Sequence, residues 1–184
     1  MTLTETPICN FGEKAKDFNL LSIENKKISL DEIKGENGTL IMFICNHCPY
    51  VKAIIKDIVE DINFLLNLGI KATAIMSNDV KNYPEDSFEN MISFSKLHEF
   101  SFPYLIDDTQ EVAKEYDAVC TPDFFGFNKN LELQYRGRIR ELKNLKPVRK
   151  GDSALRIAMK QIAESGKGPK NQIPSMGCNI KWFK

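Results

Sequence analysis

The stretch "FICNHCPYVKAII", residues 43–55, places two cysteines three positions apart, after an apolar run and before a helical pattern. The run "TLIMFIC" (39–45) is continuously apolar, which predicts a strand buried on both faces. From Tyr50 onward apolar residues recur at helical spacing, and Gly69 ends this helix. Cys45 and Cys48 are therefore expected where a buried strand passes into a helix.

This position favours redox chemistry at the two thiols. If the helix begins near Cys48 or Pro49, Cys45 lies just before its N-terminus, where free backbone N–H groups and the helix dipole stabilise a thiolate. A lower pKa gives more nucleophile at neutral pH, and Cys48, one turn further on, is close enough to attack a mixed disulfide on Cys45. Pro49 suits the first helical turn because its missing N–H would be unpaired there in any case.

The alternative for this pair is half of a zinc clip. Such a site needs a second pair of ligands, and the other candidate ligands are scattered along the chain: Cys9, His98, Cys120 and Cys178. His47, between the two cysteines, has two readings. Its protonated imidazole would stabilise the thiolate and make the disulfide more oxidising, or it is a solvent-facing residue whose charge matters little.

Length and composition fit a single domain over residues 1–184. Apolar residues make up 42% of the chain and charged residues 27%, as in an ordinary globular protein. The 25 basic and 25 acidic residues balance, so no strong field attracts nucleic acid or an anionic membrane. The N-terminus has no signal-peptide pattern, and the five cysteines form no secreted disulfide framework. We expect a cytoplasmic protein.

Strand and helix patterns alternate along the rest of the chain. Before the dithiol we expect a hairpin turning at Glu24-Asn25 and a helical turn over Ser29 to Ile33. After it, the predicted elements are a strand (70–77), a helix opened by an Asp86–Glu89 capping box and ending near His98, a strand (102–107), a short helix from Asp108 to Tyr116, a hairpin around Lys129-Asn130, and a helix from Ser153 to Glu164. This order predicts an α/β fold with a central mixed sheet flanked by helices, the layout of the thioredoxin fold.

The C-terminal tail, residues 166–184, is rich in Gly, Pro and Lys, yet contains Ile180, Trp182 and Phe183. These apolar residues suggest that the tail docks on the body of the protein. Docking would either deliver Cys178 to the dithiol as a resolving thiol or simply anchor the terminus at Trp182 and leave Cys178 inert.

A second stretch, "CTPD" (120–123), stands before the apolar run Phe124-Phe125. The trans preference of an X-Pro bond is weak, and a cis bond at Thr121-Pro122 would bring the Thr121 backbone close to the dithiol. Its main-chain groups would then be offered to a bound peptide or thiol. The alternative is a trans proline in an ordinary turn. Cys120 is either buried filler or a third thiol beside the dithiol.

Four stretches together resemble the peroxiredoxin-like branch of the thioredoxin superfamily, which belongs to the alkyl hydroperoxide reductase/thiol-specific antioxidant group. They are "FICNHCPYVKA", "AVCTPDFFGF", "YRGRI" and "GCNIKW". The resemblance implies a thioredoxin-like redoxin fold, a cis bond at Pro122 and a redox-active disulfide at Cys45 and Cys48.

The chain departs from the peroxiredoxin pattern P-x-x-x-T-x-x-C. In that register Cys48 takes the place of the peroxidatic cysteine and Cys45 that of the threonine, and the proline falls at Leu40 or Ile41. Arg136 or Arg138 could approach from a neighbouring strand and stabilise a thiolate, or either could lie at a solvated strand end.

Three functions remain open on the sequence. The favoured one is a thiol–disulfide oxidoreductase in which Cys45 attacks, Cys48 resolves, and Thr121 and Pro122 frame the groove. The second is a thiol peroxidase, a peroxiredoxin-like antioxidant with Cys48 as the attacking thiolate. The third is a module that holds copper or zinc on the two cysteines and a histidine. The favoured reading needs no cofactor and no metal, and its partners are protein or small-molecule thiols, disulfides and peroxides; the oligomeric state is left open.

Overall fold

A computed structural model describes residues 3–7 and 10–184. The strands, in chain order, are β1 (Leu3–Glu5), β2 (Asn19–Ser22), β3 (Lys27–Ser29), β4 (Gly38–Phe43), β5 (Ile70–Met76), β6 (Tyr104–Ile106), β7 (Cys120–Thr121), β8 (Asp123–Asn128), β9 (Leu133–Arg136), β10 (Leu142–Lys143), β11 (Lys146–Pro147) and β12 (Met176–Asn179). The helices are α1 (Leu30–Ile33), α2 (Pro49–Leu66), α3 (Phe88–Leu97), α4 (Glu111–Glu115) and α5 (Ala154–Ser165), with a 3-10 turn at Pro84–Asp86. In this part of the chain, no helix is long and apolar enough to cross a lipid bilayer.

The central sheet is mixed, in the order β3-β2-β6-β5-β4-β8-β9. Strands β4, β5 and β6 are parallel, and the remaining pairs are antiparallel. The predicted α/β architecture is confirmed. A smaller three-stranded sheet, in the order β1-β12-β7, and a β10-β11 ribbon complete it.

Strand β4 is buried on both faces, as its unbroken apolar run predicts. Leu40 and Met42 pack into a core shared with α2, α3 and α5. Ile41 and Phe43 point to the opposite face, into a second core built with α1 and α4. The first helix after the dithiol is therefore held against a rigid central strand.

Two predicted helix starts are wrong. Helix α3 is capped by Ser87, whose hydroxyl accepts the Asn90 N–H at 3.3 Å, rather than by Asp86. The Asp86 carboxylate is buried and turned toward the dithiol loop instead. Helix α4 begins at Glu111 rather than Asp108, and the Asp107 carboxylate accepts the N–H groups of Val112 and Ala113 in its first turn.

The C-terminal tail contributes a strand to the smaller sheet. Strand β12 lies between β1 and β7, antiparallel to both. Beyond it, the Lys181 N–H donates to Asn78 Oδ1 at 2.8 Å, and the Gln110 side chain binds the Lys181 carbonyl and the Phe183 N–H. These hydrogen bonds hold the tail against the edge of the protein that carries the dithiol.

Candidate active site

Strand register places Cys45 beside Thr121. In the β4–β8 pair, Phe43 lies opposite Asp123. Because antiparallel partners move in opposite directions along the two strands, two more steps bring residue 45 opposite residue 121. The intervening Thr121-Pro122 peptide bond is cis, as the resemblance implies.

Thr121 contacts both thiols of the dithiol. Its hydroxyl oxygen lies 3.3 Å from Cys45 Sγ, and its backbone carbonyl accepts the Cys48 thiol at 3.1 Å. The Pro122 carbonyl accepts the Ser175 hydroxyl at 2.7 Å. Thr121 therefore touches the dithiol directly, and Pro122 links it to the C-terminal tail.

The sequence predicts that Cys45 carries the thiolate, whereas the hydrogen bond between the two sulfurs favours a thiolate on Cys48. Helix α2 begins at Pro49, with Cys48 as its N-cap residue. A hydrogen bond from Cys45 lowers the pKa of Cys48 to about 5, with further help from the Val51 N–H in the first turn and from Cys178. The same hydrogen bond, together with burial, holds the pKa of Cys45 well above its usual range. The Val51 N–H, at the start of α2, thus adds to the stabilisation of a thiolate on Cys48.

The two thiols are also less exposed to solvent than we expect of a nucleophile that precedes a helix. Cys45 is 1% exposed and Cys48 is fully buried. The neighbouring cysteines described by the structure, Cys120 and Cys178, are buried thiols as well, whereas Cys9 lies outside the described residues. The tail and the Thr121 segment close over the two sulfurs.

His47 faces Asp86 rather than open solvent. Its Nδ1 lies 2.7 Å from Asp86 Oδ2, and its side chain is only 12% exposed. This hydrogen bond raises the pKa of His47. Burial alone would raise the pKa of Asp86, but hydrogen bonds from His47 and Asn78 outweigh burial and lower it. The loop between the cysteines is therefore held by a buried carboxylate.

The hydrogen bonds of the Asp86 carboxylate bear on whether a metal ion could bind beside the dithiol. Cys45, His47 and Asp86 each bring one possible ligand atom within 4.8 Å of the others. However, Asp86 Oδ1 accepts the N–H groups of Asn46 and His47, and Oδ2 meets His47 Nδ1 and the Asn78 amide. A cation would have to displace several of these bonds, so the geometry favours the hydrogen-bonded loop over a copper or zinc module.

The other predicted thiols differ in their position. Cys178 lies opposite Thr121 in the strand pair and hydrogen-bonds Cys48. Cys120, the neighbour of Thr121 in β7, points to the other face and donates to the Pro122 carbonyl at 3.6 Å. Burial raises the pKa of both Cys120 and Cys178, the latter to about 12.

Neither arginine candidate contacts the dithiol. The Arg136 guanidinium forms a buried ion pair with Asp123 at 2.9 Å and lies over the Phe125 ring. Arg138 lines a cavity next to Pro122. His98 is the C-cap residue of α3 and packs edge-on against Phe94.

Several residues around the loop carry no signal in the sequence. Buried Tyr104 donates its hydroxyl to Asn46 Oδ1, and Asn78 joins Asp86 to the backbone of Lys181. These residues come from separate segments of the chain, and no local pattern connects them. The position of Asn78, two residues after the end of β5, was the one available hint.

Comparison with known proteins identifies the family. The sequence model of the AhpC/TSA family matches residues 11–141. The chain belongs to the AhpC/TSA family. Membership of this family supports a redox function, that of an oxidoreductase. A search of curated proteins found no match.

Solved structures agree with this assignment. The AhpC/TSA chain is 39% identical to an uncharacterized conserved protein from Geobacillus kaustophilus, with a TM-score of 0.91 over 100% of this chain and 97% of the other. It is 33% identical to a hypothetical protein from Sinorhizobium meliloti 1021, with a TM-score of 0.90 and 98% of each chain covered. The thioredoxin domain of a thiol-disulfide oxidoreductase from Bacteroides vulgatus has 14% identity and a TM-score of 0.60 over 70% of this chain and 89% of the other. At that identity the likeness concerns the fold, which is thioredoxin-like.

Proposed function

We propose that this AhpC/TSA protein is a thiol–disulfide oxidoreductase whose dithiol is Cys45 and Cys48. The observation that carries the proposal is the contact of both thiols with Thr121, whose hydroxyl lies 3.3 Å from Cys45 Sγ and whose carbonyl accepts the Cys48 thiol at 3.1 Å. Hydrogen bonding lowers the pKa of Cys48 to about 5, whereas that of Cys45 is raised. Cys48 is then the attacking thiolate and Cys45 the resolving thiol, the reverse of the roles that the sequence suggests.

The reaction follows from these roles. Cys48 attacks a substrate disulfide, one half leaves as a thiol after taking up a proton, and a mixed disulfide remains on Cys48. Cys45 then gives up its proton and attacks Cys48, which releases the second half as a thiol and leaves the Cys45–Cys48 disulfide. Two electrons pass from the protein to the substrate, and an external thiol reductant must return them.

The supporting residues have positioning roles in this proposal. Thr121 contacts both sulfurs while Cys48 is protonated, and His47, fixed by Asp86, places a positive charge near the Cys48 thiolate when the imidazole is protonated. A cytoplasmic location is part of the proposal, because the sparse, odd set of five cysteines is unlike a secreted disulfide framework.

Reduction of glutathione disulfide, coupled to thioredoxin reductase and thioredoxin or to dithiothreitol as the electron source, tests the proposal. Wild type and Cys120→Ala are expected to turn over at equal rates, and Cys48→Ser to lose activity. Mass mapping of the oxidised wild type should give a disulfide between residues 45 and 48. Equal rates for wild type and Cys48→Ser would overturn the proposal.

A thiol peroxidase is the second candidate, and the low pKa of Cys48 together with family membership favours it. Against it, a thiol occupies position 45, where the peroxidase pattern has a threonine hydroxyl. Stopped-flow mixing with hydrogen peroxide separates the two functions. A rate for Cys48 no faster than that of an ordinary thiolate excludes the peroxidase.

A further inference from the structure

Strand β12 pairs with β7, the strand of Thr121, along the edge that faces away from the central sheet. Cys178 lies directly opposite Thr121 in this antiparallel pair, and Leu3 of β1 lies on its other side. An exposed strand edge beside a dithiol is where an extended peptide would bind by strand addition. In this protein, a segment of the same chain fills that edge and brings a cysteine with it.

Cys178 is in contact with the dithiol. Both its thiol and its backbone N–H hydrogen-bond Cys48, and both sulfurs are buried. The Cys48 sulfur is thus hydrogen-bonded to two other thiols, those of Cys45 and Cys178. Side-chain rotation can bring hydrogen-bonded sulfurs toward the disulfide bond length of about 2.0 Å.

The close approach of β12 depends on Gly177. A Cβ atom there would lie 2.0 Å from the Thr121 carbonyl oxygen and 2.6 Å from its carbon, which no larger residue can accommodate without displacing the strand. Its backbone has no positive φ, so the requirement is one of space alone. The hydrogen bond from Ser175 to the Pro122 carbonyl, at 2.7 Å, holds the same segment from its N-terminal side. Cys178 is therefore seated at the site by specific contacts.

We propose that Cys178 is a third redox-active thiol, which forms a disulfide with Cys48, and that β12 serves as an internal substrate strand for the dithiol. This inference rests on the proposed function, because it requires Cys48 to be the attacking thiol. It adds a second route by which a mixed disulfide on Cys48 is resolved.

The chemistry balances with a small-molecule disulfide as the oxidant. Cys48 attacks one sulfur of the oxidant, its S–S bond breaks, and one half leaves and takes up a proton. Cys178 then loses its proton and attacks Cys48 Sγ, so that the second half leaves as a thiol and a Cys48–Cys178 disulfide forms. Cys45 can next attack Cys48 and release Cys178 as a thiol, which moves the disulfide to Cys45–Cys48 with no net change in electrons.

Cys120 serves as the matched control. It is buried in the strand that pairs with β12, but its sulfur lies on the other face and donates to the Pro122 carbonyl. Its substitution therefore changes the cysteine content of the same strand pair without removing a thiol that touches Cys48.

The test uses Cys45→Ser protein, oxidised with glutathione disulfide and mapped by mass spectrometry after alkylation. We expect two molecules of reduced glutathione to be released per protein and a peptide joining residues 48 and 178. Cys45→Ser/Cys178→Ser should release one glutathione and keep the other on Cys48. Cys45→Ser/Cys120→Ser should behave like Cys45→Ser.

Gly177→Ala in the Cys45→Ser background keeps every relevant thiol but displaces β12. We expect it to form the 48–178 disulfide at least about 10-fold more slowly, while the first attack by Cys48 is not slowed. This variant keeps the inference testable if the double serine variant folds poorly.

The outcomes separate this inference from the proposed function. A stable glutathione adduct on Cys48 in Cys45→Ser would overturn the role of Cys178, while the 45–48 disulfide of the wild type would leave the proposed function standing. If Cys48 forms neither a glutathione adduct nor a disulfide with residue 178, its attacking role and both proposals are rejected.

Discussion

Nδ1 of His47 lies 2.7 Å from Oδ2 of Asp86, and this contact ties the middle of the dithiol loop to the 3-10 turn that precedes α3. The same carboxylate accepts the backbone N–H groups of Asn46 and His47 and the side-chain amide of Asn78. Because Asn78 also accepts the Lys181 N–H, the loop and the C-terminal tail share one buried network.

Asp86→Asn should lower the pKa of His47 toward its ordinary value, because the hydrogen bond to Asp86 is the main cause of its increase. In the wild type, the raised pKa stabilises the fold below the unfolded pKa of about 6.5, and this contribution disappears as the pH rises through the folded pKa. The variant should lose most of this pH dependence. NMR titration of the two histidines measures the pKa of His47 in the wild type and the variant. His98 is the internal control, since burial lowers its pKa independently of Asp86.

The same variant should be less stable by about 1–3 kcal/mol, because an amide oxygen cannot accept all the hydrogen bonds that the carboxylate accepts. Urea unfolding at pH 7 provides the measurement. An unfolding free energy equal to that of the wild type would show that the network is not needed for stability.

Thiolate absorbance near 240 nm should reveal a titration with a midpoint near pH 5, which belongs to Cys48. Cys48→Ser should remove this transition. Cys45→Ser should move it to higher pH, because the hydrogen bond from Cys45 is the largest cause of the lowered pKa. Cys120→Ala should leave it unchanged, and a midpoint near 9 in the wild type would contradict the assignment of the thiolate.

Gly177→Ala should destabilise the protein by about 1–3 kcal/mol, since the added methyl group overlaps the Thr121 carbonyl and forces β12 away from β7. The reaction of Cys48 with iodoacetamide should become faster in the same variant. Gly151→Ala is the comparison, because nothing lies within 4 Å of the added atom and its cost arises from a positive φ. Unchanged alkylation of Cys48 would show that β12 does not cover the dithiol.

Arg136→Ala should cost about 3–5 kcal/mol at pH 8, because it leaves Asp123 as an uncompensated buried charge. Burial raises the pKa of Asp123 to about 6 even with Arg136 present. A raised carboxyl pKa stabilises the fold below the unfolded pKa of about 4 and loses this effect as the pH rises through about 6. Removing Arg136 should strengthen this dependence.

The deficit of Arg136→Ala relative to the wild type should accordingly shrink when urea unfolding is repeated at pH 5. Arg138→Ala is the control, because Arg138 has no ion-pair partner among residues 3–7 and 10–184. A deficit that does not depend on pH would show that the lost packing over Phe125, rather than the charge of Asp123, is responsible.

The fold could be predicted because its signals are local. The apolar run of β4, the helical spacing after Pro49 and the amphipathic pattern of α5 each depend on neighbouring residues, and each element forms where expected. The proximity of Thr121 to the dithiol was one of two alternatives that the sequence left open, and the family resemblance implied the cis bond that goes with it.

The distribution of charge within the site could not be predicted in this way. Which cysteine carries the thiolate depends mainly on a hydrogen bond between two sulfurs, and the start of α2, which lies where the sequence predicts it, does not settle the answer. The role of Asp86 depends on contacts with residues about 40 positions earlier in the chain. Its sequence context fits a helix cap equally well, and only tertiary packing chose Ser87 instead.

The burial of Cys48 beneath Cys178 sets a limit on how fast the protein can react. Large reagents reach this sulfur only during brief detachments of the C-terminal strand, whose frequency is a property of the protein and not of the reagent. At high reagent concentration the rate of modification should therefore level off at the opening rate, whereas molecules small enough to enter without detachment should show no such plateau. Substrate size, and not only thiol chemistry, then selects what this protein oxidises or reduces.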